Sequence, residues 1–180
     1  MSRIRIVGGQ WRSRLLEVPH LQGLRPTPDR VRETLFNWLG QRLDGWHCLD
    51  LFAGSGVLGL EAASRGAAQV TLVERDAGAV RSLRKLVDTL QAGATVEVKR
   101  ADAVEFARST SQSFDLVFLD PPYNQGLLER IEPFLERLLA PDGWLYVESE
   151  QALTQLGRWK CVRQGRAGQA YFHLMQGHDE

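Results

Sequence analysis

From residue 47 onward the chain alternates short apolar runs with amphipathic stretches, and this alternation constrains the fold more than any other feature. Runs at 47–52, 69–74, 95–99, 114–119 and 144–148 read as strands, and helices are predicted at about 57–65, 76–91, 102–108 and 125–139. Phe114-Asp115-Leu116-Val117-Phe118-Leu119 shows the type. It is almost continuously apolar, as suits a parallel strand covered on both faces. Pro133 inside the last helix predicts a kink or two pieces. Strands at about 158–164 and 169–175 flank Gly165-Arg166-Ala167-Gly168. Strands joined by so short a turn must be antiparallel. The expected class is therefore α/β: a seven-stranded sheet with five parallel strands and an antiparallel last hairpin.

Ahead of this core, Ile4-Arg5-Ile6-Val7 and Ser13-Arg14-Leu15-Leu16-Glu17-Val18 read as two strands around a Gly8-Gly9 turn, a small N-terminal β-hairpin extension. Arg25-Pro26-Thr27-Pro28 is extended, because each proline pushes its predecessor out of the helical region. Thr27 is predicted to cap a helix with Pro28 at its first position. One domain over 1–180 is expected: a basic hairpin at 1–24, the Arg-Pro-Thr segment and helix at 25–45, and the core at 46–176.

The first strand of the core leads into Asp50-Leu51-Phe52-Ala53-Gly54-Ser55-Gly56-Val57-Leu58-Gly59. Glycines at a strand-to-helix turn let a ligand approach the backbone, and the helix leaves free N–H groups there. Glu74 ends the next strand, where a carboxylate can accept two hydrogen bonds from a ribose diol. Gly54, Gly56 and Glu74 also fit the dinucleotide fingerprint, so a nicotinamide-dependent oxidoreductase stays open. Asp50 favours S-adenosylmethionine, since its charge repels a diphosphate and suits a cationic amino group. Asp102, at the head of a short helix, is placed to contact adenine or to cap that helix.

Asp120-Pro121-Pro122-Tyr123 follows the fourth core strand, at the edge where open sheets place their chemistry. The prolines fix the backbone and remove N–H donors, leaving carbonyls as acceptors. A carboxylate plus a fixed carbonyl matches the two hydrogens of an –NH₂ group. Tyr123 offers a face on which a base can stack, worth ~1–3 kcal/mol. Two acceptors can pyramidalise an exocyclic nitrogen and aim its lone pair at a methyl donor. Asp120 is also placed to take the released proton. A base in a paired stem would have to swing out to reach this pocket.

Net charge is zero, but it is unevenly spread: residues 1–32 carry +5 and the remainder −5. Of 22 basic residues 19 are arginine, whose fork suits phosphate. A basic arm on an acidic body points to a polyanionic partner. Cys48 and Cys161 stand apart, without metal-ligand spacing, so no metal is expected and a reducing cytoplasm is. No apolar run approaches the ~18 residues of a membrane span, and no secretory leader is read at the start.

Together these residues resemble a known family. Asp50, Phe52-Ala53-Gly54-Ser55-Gly56, Glu74 and Asp120-Pro121-Pro122-Tyr123 are similar to the amino-group methyltransferases in general. Arg5-Ile6-Val7-Gly8-Gly9-Gln10-Trp11-Arg12 and Arg25-Pro26-Thr27-Pro28-Asp29-Arg30-Val31-Arg32-Glu33-Thr34-Leu35-Phe36-Asn37 narrow the likeness. They resemble the bacterial RsmD family, which methylates N2 of a guanine in 16S ribosomal RNA, and the likeness runs over residues 3–176. It implies a Rossmann-like methyltransferase sheet and S-adenosylmethionine held by Asp50, Ala53, Gly54, Ser55, Gly56, Glu74, Arg75, Asp102 and Ala103. It implies that Asp120, Pro121, Pro122 and Tyr123 hold the guanine. It implies an RNA grip by Arg5, Arg12, Arg14, Arg25, Thr27 and Arg30, with Arg25 and Thr27 near the active site. The expected partner is 16S rRNA in the small subunit or a precursor, met by a monomer away from membranes. Two further readings stay open: an adenine-N6 or glutamine methyltransferase using the same tetrapeptide, and a non-catalytic RNA-binding assembly factor. Glu148, at the end of the fifth core strand, lies on the functional edge without an assigned role.

Overall fold

The computed structural model describes residues 2–18 and 26–177. The first elements are an antiparallel hairpin, β1 (Ser2–Arg5) and β2 (Leu15–Val18), pairing Ser2 with Val18 and Arg5 with Leu15. Its link is more than a Gly-Gly turn. Ile6 extends the ladder to Ser13 and Arg14, and Gly9–Trp11 form a 3₁₀ turn that buries Trp11. Helix α1 (Asp29–Leu39) starts one residue later than the sequence predicts. Pro28 occupies the cap position, and its carbonyl accepts from the amides of Val31 and Arg32 at 3.1 Å. The Thr27 hydroxyl does not cap the helix, because the helix starts at Asp29 and Pro28 holds the cap position; Asp29 and the Thr27 carbonyl instead take the side chain of Arg32. Gly40, at φ 99°, closes the helix in the left-handed conformation.

The core then alternates β3 (His47–Asp50), α2 (Val57–Ser64), β4 (Gln69–Glu74), α3 (Ala77–Thr89), β5 (Val96–Arg100), α4 (Ala103–Ser109) and β6 (Phe114–Leu119). The predicted long helix is broken as Pro133 requires: α5 (Leu127–Ile131), a 3₁₀ turn at Glu132–Phe134, then α6 (Leu135–Leu138). The chain ends in β7 (Leu139–Ser149), β8 (Gln155–Leu156), β9 (Trp159–Ala167) and β10 (Ala170–Gly177). β7 starts five residues before the apolar run, with a register shift against β6 between Phe114 and Leu116.

The large sheet runs β5-β4-β3-β6-β7-β10-β9-β8. β5, β4, β3, β6 and β7 are parallel, and the rest are antiparallel. It has eight strands among the described residues, not seven. The extra one, β8, is a two-residue edge piece paired through Gln155–Lys160 and Leu156–Trp159. No periodicity announces two residues. The strand order reverses between β3 and β6, the switch point where open α/β sheets bind ligands.

Strand residues alternate between two cores. Cys48, Leu72, Leu116, Phe118 and Tyr146 face α1, α2, α3 and the N-terminal hairpin. Leu49, Val73, Val117, Leu119, Leu145 and Val147 face α4, α5 and α6. Continuing each strand by this rule puts Asp50, Glu74, Asp120 and Glu148 on the hairpin side. All four fall at the carboxyl edge. No helix among the described residues is long and apolar enough to cross a membrane.

Candidate active site

The turn after β3 is built on close approach. Gly56 caps α2 at φ 81°, and a Cβ there would meet Leu83 at 2.4 Å. A Cβ at Gly59 would meet Leu72 at 2.2 Å, so α2 lies tight on β4. Glu74 ties the turn to the next strand. One carboxylate oxygen accepts from Gly54 N at 3.2 Å and the other from Asp76 N at 2.7 Å. Asp102 accepts from Glu105 N at 3.1 Å, so it caps α4 while standing exposed at the same edge.

A cleft of about 540 Å³ opens here, within the ~300–1,000 Å³ usual for small-molecule sites. Of the predicted residues, Glu74, Arg75, Asp102, Ala103, Asp120 and Pro122 line it. Sequence reasoning assigned no site role to Phe52, Asp76, Gln125, Leu127 and Arg130, which also line it, along with Leu51, Val73 and Ala101. Asp50 lies under the turn and is only 2% exposed. The amides of Phe52 and Gly59 donate to its carboxyl, yet its Oδ1 has no partner. Burial is the main reason its pKa is pushed up to about 7, with Glu74 adding repulsion. A cation arriving beside Asp50 would stabilise its charged form, and an unpaired buried acceptor is the vacancy such a cation fills. The cleft is lined by Glu74, Asp76, Asp102 and Asp120 against Arg75 and Arg130. That balance suits the ammonium, sulfonium and ribose of S-adenosylmethionine and opposes the diphosphate of a nicotinamide cofactor.

A second hollow, of about 230 Å³, adjoins the first and is lined by Pro121, Pro122, Tyr123 and Glu148. Pro122 belongs to both walls. Tyr123 is 44% exposed, a large ring held in solvent with no core to fill. Asp120 is hydrogen-bonded to Glu148, and the Tyr146 hydroxyl donates to Glu148 Oε2 at 3.2 Å. Burial first, then Glu148 and Asp50, keep the Asp120 proton well above the usual carboxylate range. Glu148 is also raised by burial, against the hydrogen bonds it receives from Asp120 and Tyr146. The arrangement offers a flat face, a carboxyl group and proline-fixed carbonyls beside a cofactor-sized cleft. A flat amine-bearing ring could be held there with its nitrogen turned toward a methyl donor.

The basic arm divides in two. Arg5, Arg12, Arg14 and Arg30 are exposed. Thr27 is buried at 5% exposure, its carbonyl accepting from Arg32 Nε at 3.2 Å, and Arg25 lies outside the described residues. Arg32 contributes no surface charge, as it is fully buried. Its guanidinium holds Asp29, the Arg5 carbonyl at 2.7 Å and Glu61 at 3.6 Å. Glu61, also fully buried, accepts from Val7 N and Gly8 N and pairs with Arg65 at 3.2 Å. Nothing in the one-dimensional pattern marks this cluster, since Glu61 sits in an apolar helix and Arg32 among other arginines. Beside it the hairpin tip, α1 and the end of α2 enclose a larger cleft, about 760 Å³. Many of its polar groups already have partners, within the lining or just outside it: Gln41 with Asn37 and Arg65, Arg42 with Asp44, Ser64 with Gly8 and Trp11. Size therefore does not select the functional cleft; the gathering of acids at the carboxyl edge, over the unpartnered Oδ1 of Asp50, does.

A family model described as Conserved hypothetical protein 95 matches residues 4–176. Ribosomal RNA small subunit methyltransferase D of Escherichia coli K12 is 47% identical over 180 residues, covering 97% of this chain and 90% of that protein. A solved Escherichia coli structure, yhhF, superposes with a TM-score of 0.88 at 44% identity, covering 98% of both chains. An RNA methyltransferase from Salinibacter ruber, solved with S-adenosyl-L-homocysteine, shares the fold at a TM-score of 0.67 and 21% identity, covering 87% of this chain and 95% of that one. With a cleft fitted to a sulfonium cofactor and a family match over nearly its whole length, the chain belongs to the RsmD family of S-adenosylmethionine-dependent methyltransferases.

Proposed function

We propose that the protein transfers the methyl group of S-adenosylmethionine to the N2 amine of a guanine in 16S ribosomal RNA, within the small subunit or a precursor, acting as a monomer of one domain in the cytoplasm. What carries this reading is the wall that the two hollows share: Asp120 and Pro122 face the cofactor cleft, and Pro122 and Tyr123 face the outer hollow. The proposed roles follow the chemistry. Asp50 balances the cofactor's amino group, Glu74 takes the ribose and Asp102 reaches the adenine. Ala53, Gly54, Ser55, Gly56, Arg75 and Ala103 shape the rest of that site. Tyr123 stacks on the base, and Asp120 with a carbonyl of the Pro121-Pro122 turn accepts its two amine hydrogens. The bound cofactor supplies the electrophilic methyl; the chain supplies position and acceptors. The exposed Arg5, Arg12, Arg14 and Arg30 grip phosphate, together with Arg25, whereas Thr27 is buried and so holds the segment in place rather than touching RNA. Choosing guanine N2 over adenine N6 rests on the likeness of the hairpin and Arg-Pro-Thr segments to RsmD, because the acceptor pair itself fits either amine.

The test is nucleoside mass spectrometry after incubation with free 16S rRNA, small-subunit particles, DNA and protein. N2-methylguanosine in the ribosomal RNA is expected, and N6-methyladenosine or methylated protein would overturn the assignment. Asp120→Ala should lower turnover by at least ~10²-fold with cofactor affinity nearly unchanged, as for the loss of a transition-state acceptor. Loss of cofactor binding instead would move Asp120 into the cofactor site.

A further inference from the structure

Methylating an amine leaves a cationic nitrogen that must lose a proton, so the site needs somewhere to put it. Asp120 is the group in reach, yet the structure gives it a neighbour that changes its job. β6 and β7 run parallel with Leu119 beside Val147, so Asp120 and Glu148 emerge side by side at the carboxyl edge. Their side chains are hydrogen-bonded to each other. Two carboxyl groups in contact hold a proton between them, since both cannot stay charged at that distance. Glu148 has a second donor in the hydroxyl of Tyr146, whose side chain is fully buried. Burial chiefly, with Glu148 next, keeps that phenol neutral far above its ordinary range, so it remains a donor. The pair therefore shares one proton, and the Tyr146 hydroxyl, which donates to Glu148, favours the charge on Glu148 and the proton on Asp120.

We infer that Glu148 is the final proton acceptor of the reaction and that Asp120 is the carrier between the amine and Glu148. The inference rests on the reading of Asp120 as an amine acceptor. The nitrogen lone pair forms a bond to the methyl carbon as the carbon–sulfur bond of the sulfonium donor breaks, the bonding pair leaves on sulfur as a neutral thioether, and the nitrogen becomes cationic. Its N–H bond then breaks, leaving the electron pair on nitrogen, and the proton joins the free oxygen of Asp120. The proton already on Asp120 passes along the existing hydrogen bond to Glu148. Asp120 ends as it began, and the Glu148 carboxylate ends as an acid. Without Glu148 the carrier would have to hold two protons.

The groups facing this pair come from every neighbouring element. Asp50 approaches Asp120 from β3, and Tyr123 in the turn after β6 faces both acids of the pair and also Glu150 from beyond β7. Arg130 of α5 lines the cleft that Asp120 faces. On β10, Phe172 stands opposite Glu148 and has no charge. The adjacent His173 bonds through both ring nitrogens, to the Val147 carbonyl and the Leu153 amide. Among these, Glu148 alone is bonded to Asp120.

The variant to make is Glu148→Gln, which keeps the size and the hydrogen bond to Tyr146 but accepts no proton. Its turnover on RNA should fall ~10²-fold or more, the scale of a lost acid–base step, with RNA KM and cofactor affinity within twofold. In the wild type, kcat should rise with pH as Glu148 loses its proton, and that limb should vanish in Glu148→Gln. Glu148→Asp should recover both turnover and the limb in part, which a purely structural role would not give. A readout without cofactor or RNA is infrared spectroscopy: at pH 7 the wild type should show a protonated-carboxyl band beyond the part that Asp50 contributes, and Asp120→Asn should remove that excess. Normal turnover in Glu148→Gln, an unchanged pH limb, or no such excess overturns the inference. If Asp120→Ala abolishes turnover while Glu148→Gln does not, only the relay fails. If Asp120→Ala keeps turnover, the proposed clamp itself fails.

Discussion

Glu61, beneath the hairpin, and Asp50, beneath the cofactor turn, are both acids closed off from water on the same side of one sheet. Their surroundings differ in one respect. Glu61 receives two amides and two guanidinium groups, all from this chain. Asp50 receives two amides, keeps one oxygen unpartnered and, among the described residues, has no cationic partner, only the nearby acids Glu74 and Asp120. A buried acid whose partners are all internal is part of the scaffold, and one with a free oxygen and acidic neighbours awaits a ligand. Burial raises the pKa of Glu61 even between Arg32 and Arg65, so the ion cluster is no simple gain in stability. Its effect is to fix where the hairpin docks, because Val7, Gly8 and the Arg5 carbonyl are satisfied only there.

The largest expected effect comes from breaking the finished cluster. Glu61→Ala strands two buried guanidinium groups and should destabilise the fold by ~3–5 kcal/mol. Chemical denaturation measures it, and cofactor affinity per folded molecule should stay within about twofold. A loss below ~1 kcal/mol, or lost cofactor affinity in a folded protein, breaks the contrast.

Asp50→Asn should act in the opposite sense. An acid that holds its proton more tightly when folded favours the fold at low pH. Below the ordinary value of 3.8 both states are protonated, and as pH rises toward about 7 only the unfolded chain ionises, so stability is lost across that window. The asparagine cannot ionise, so the cofactor-free variant should gain up to ~4 kcal/mol at pH 8 and almost nothing at pH 4. Cofactor affinity should meanwhile fall at least tenfold, by calorimetry at pH 8. A variant less stable than wild type at pH 8 would make Asp50 a scaffold acid like Glu61.

Much of this contrast is written in the sequence, though unevenly. The parallel core was legible because its strands are long apolar runs, and the functional edge because Asp50, Glu74 and Asp120 each end one. Glu148 carries the same signal: it ends Leu145-Tyr146-Val147 and shares the alternation phase of Asp120. What hid its role was pairing, because no local pattern says that β6 lies beside β7 with Leu119 against Val147. Glu61 and Arg32 were illegible for the same reason. They satisfy each other across 29 positions, and an isolated charge in either helix reads as solvated. Thr27 differs locally from the expectation: a hydroxyl before a helix reads as a cap, but the helix starts at Asp29, so the cap position falls to Pro28.

The smallest effect separates the two kinds of arginine within the basic arm. Arg12 and Arg14 are exposed, while Arg32 is enclosed by Asp29, Glu61 and backbone carbonyls. Only the first kind is available to displace counterions from a phosphate backbone. Replacing Arg12 and Arg14 together by glutamine should weaken RNA binding several-fold near physiological salt. It should also flatten the slope of log affinity against log salt by ~1.5, about 0.7–0.9 per phosphate contact. Stability should change by less than ~0.5 kcal/mol, as usual for surface positions. Arg32→Gln should do the reverse, costing stability and leaving the slope of the folded protein unchanged. If the double variant keeps the wild-type slope, the hairpin's charge does not reach RNA, and the docking surface must then be sought nearer α1, where Arg30 is exposed.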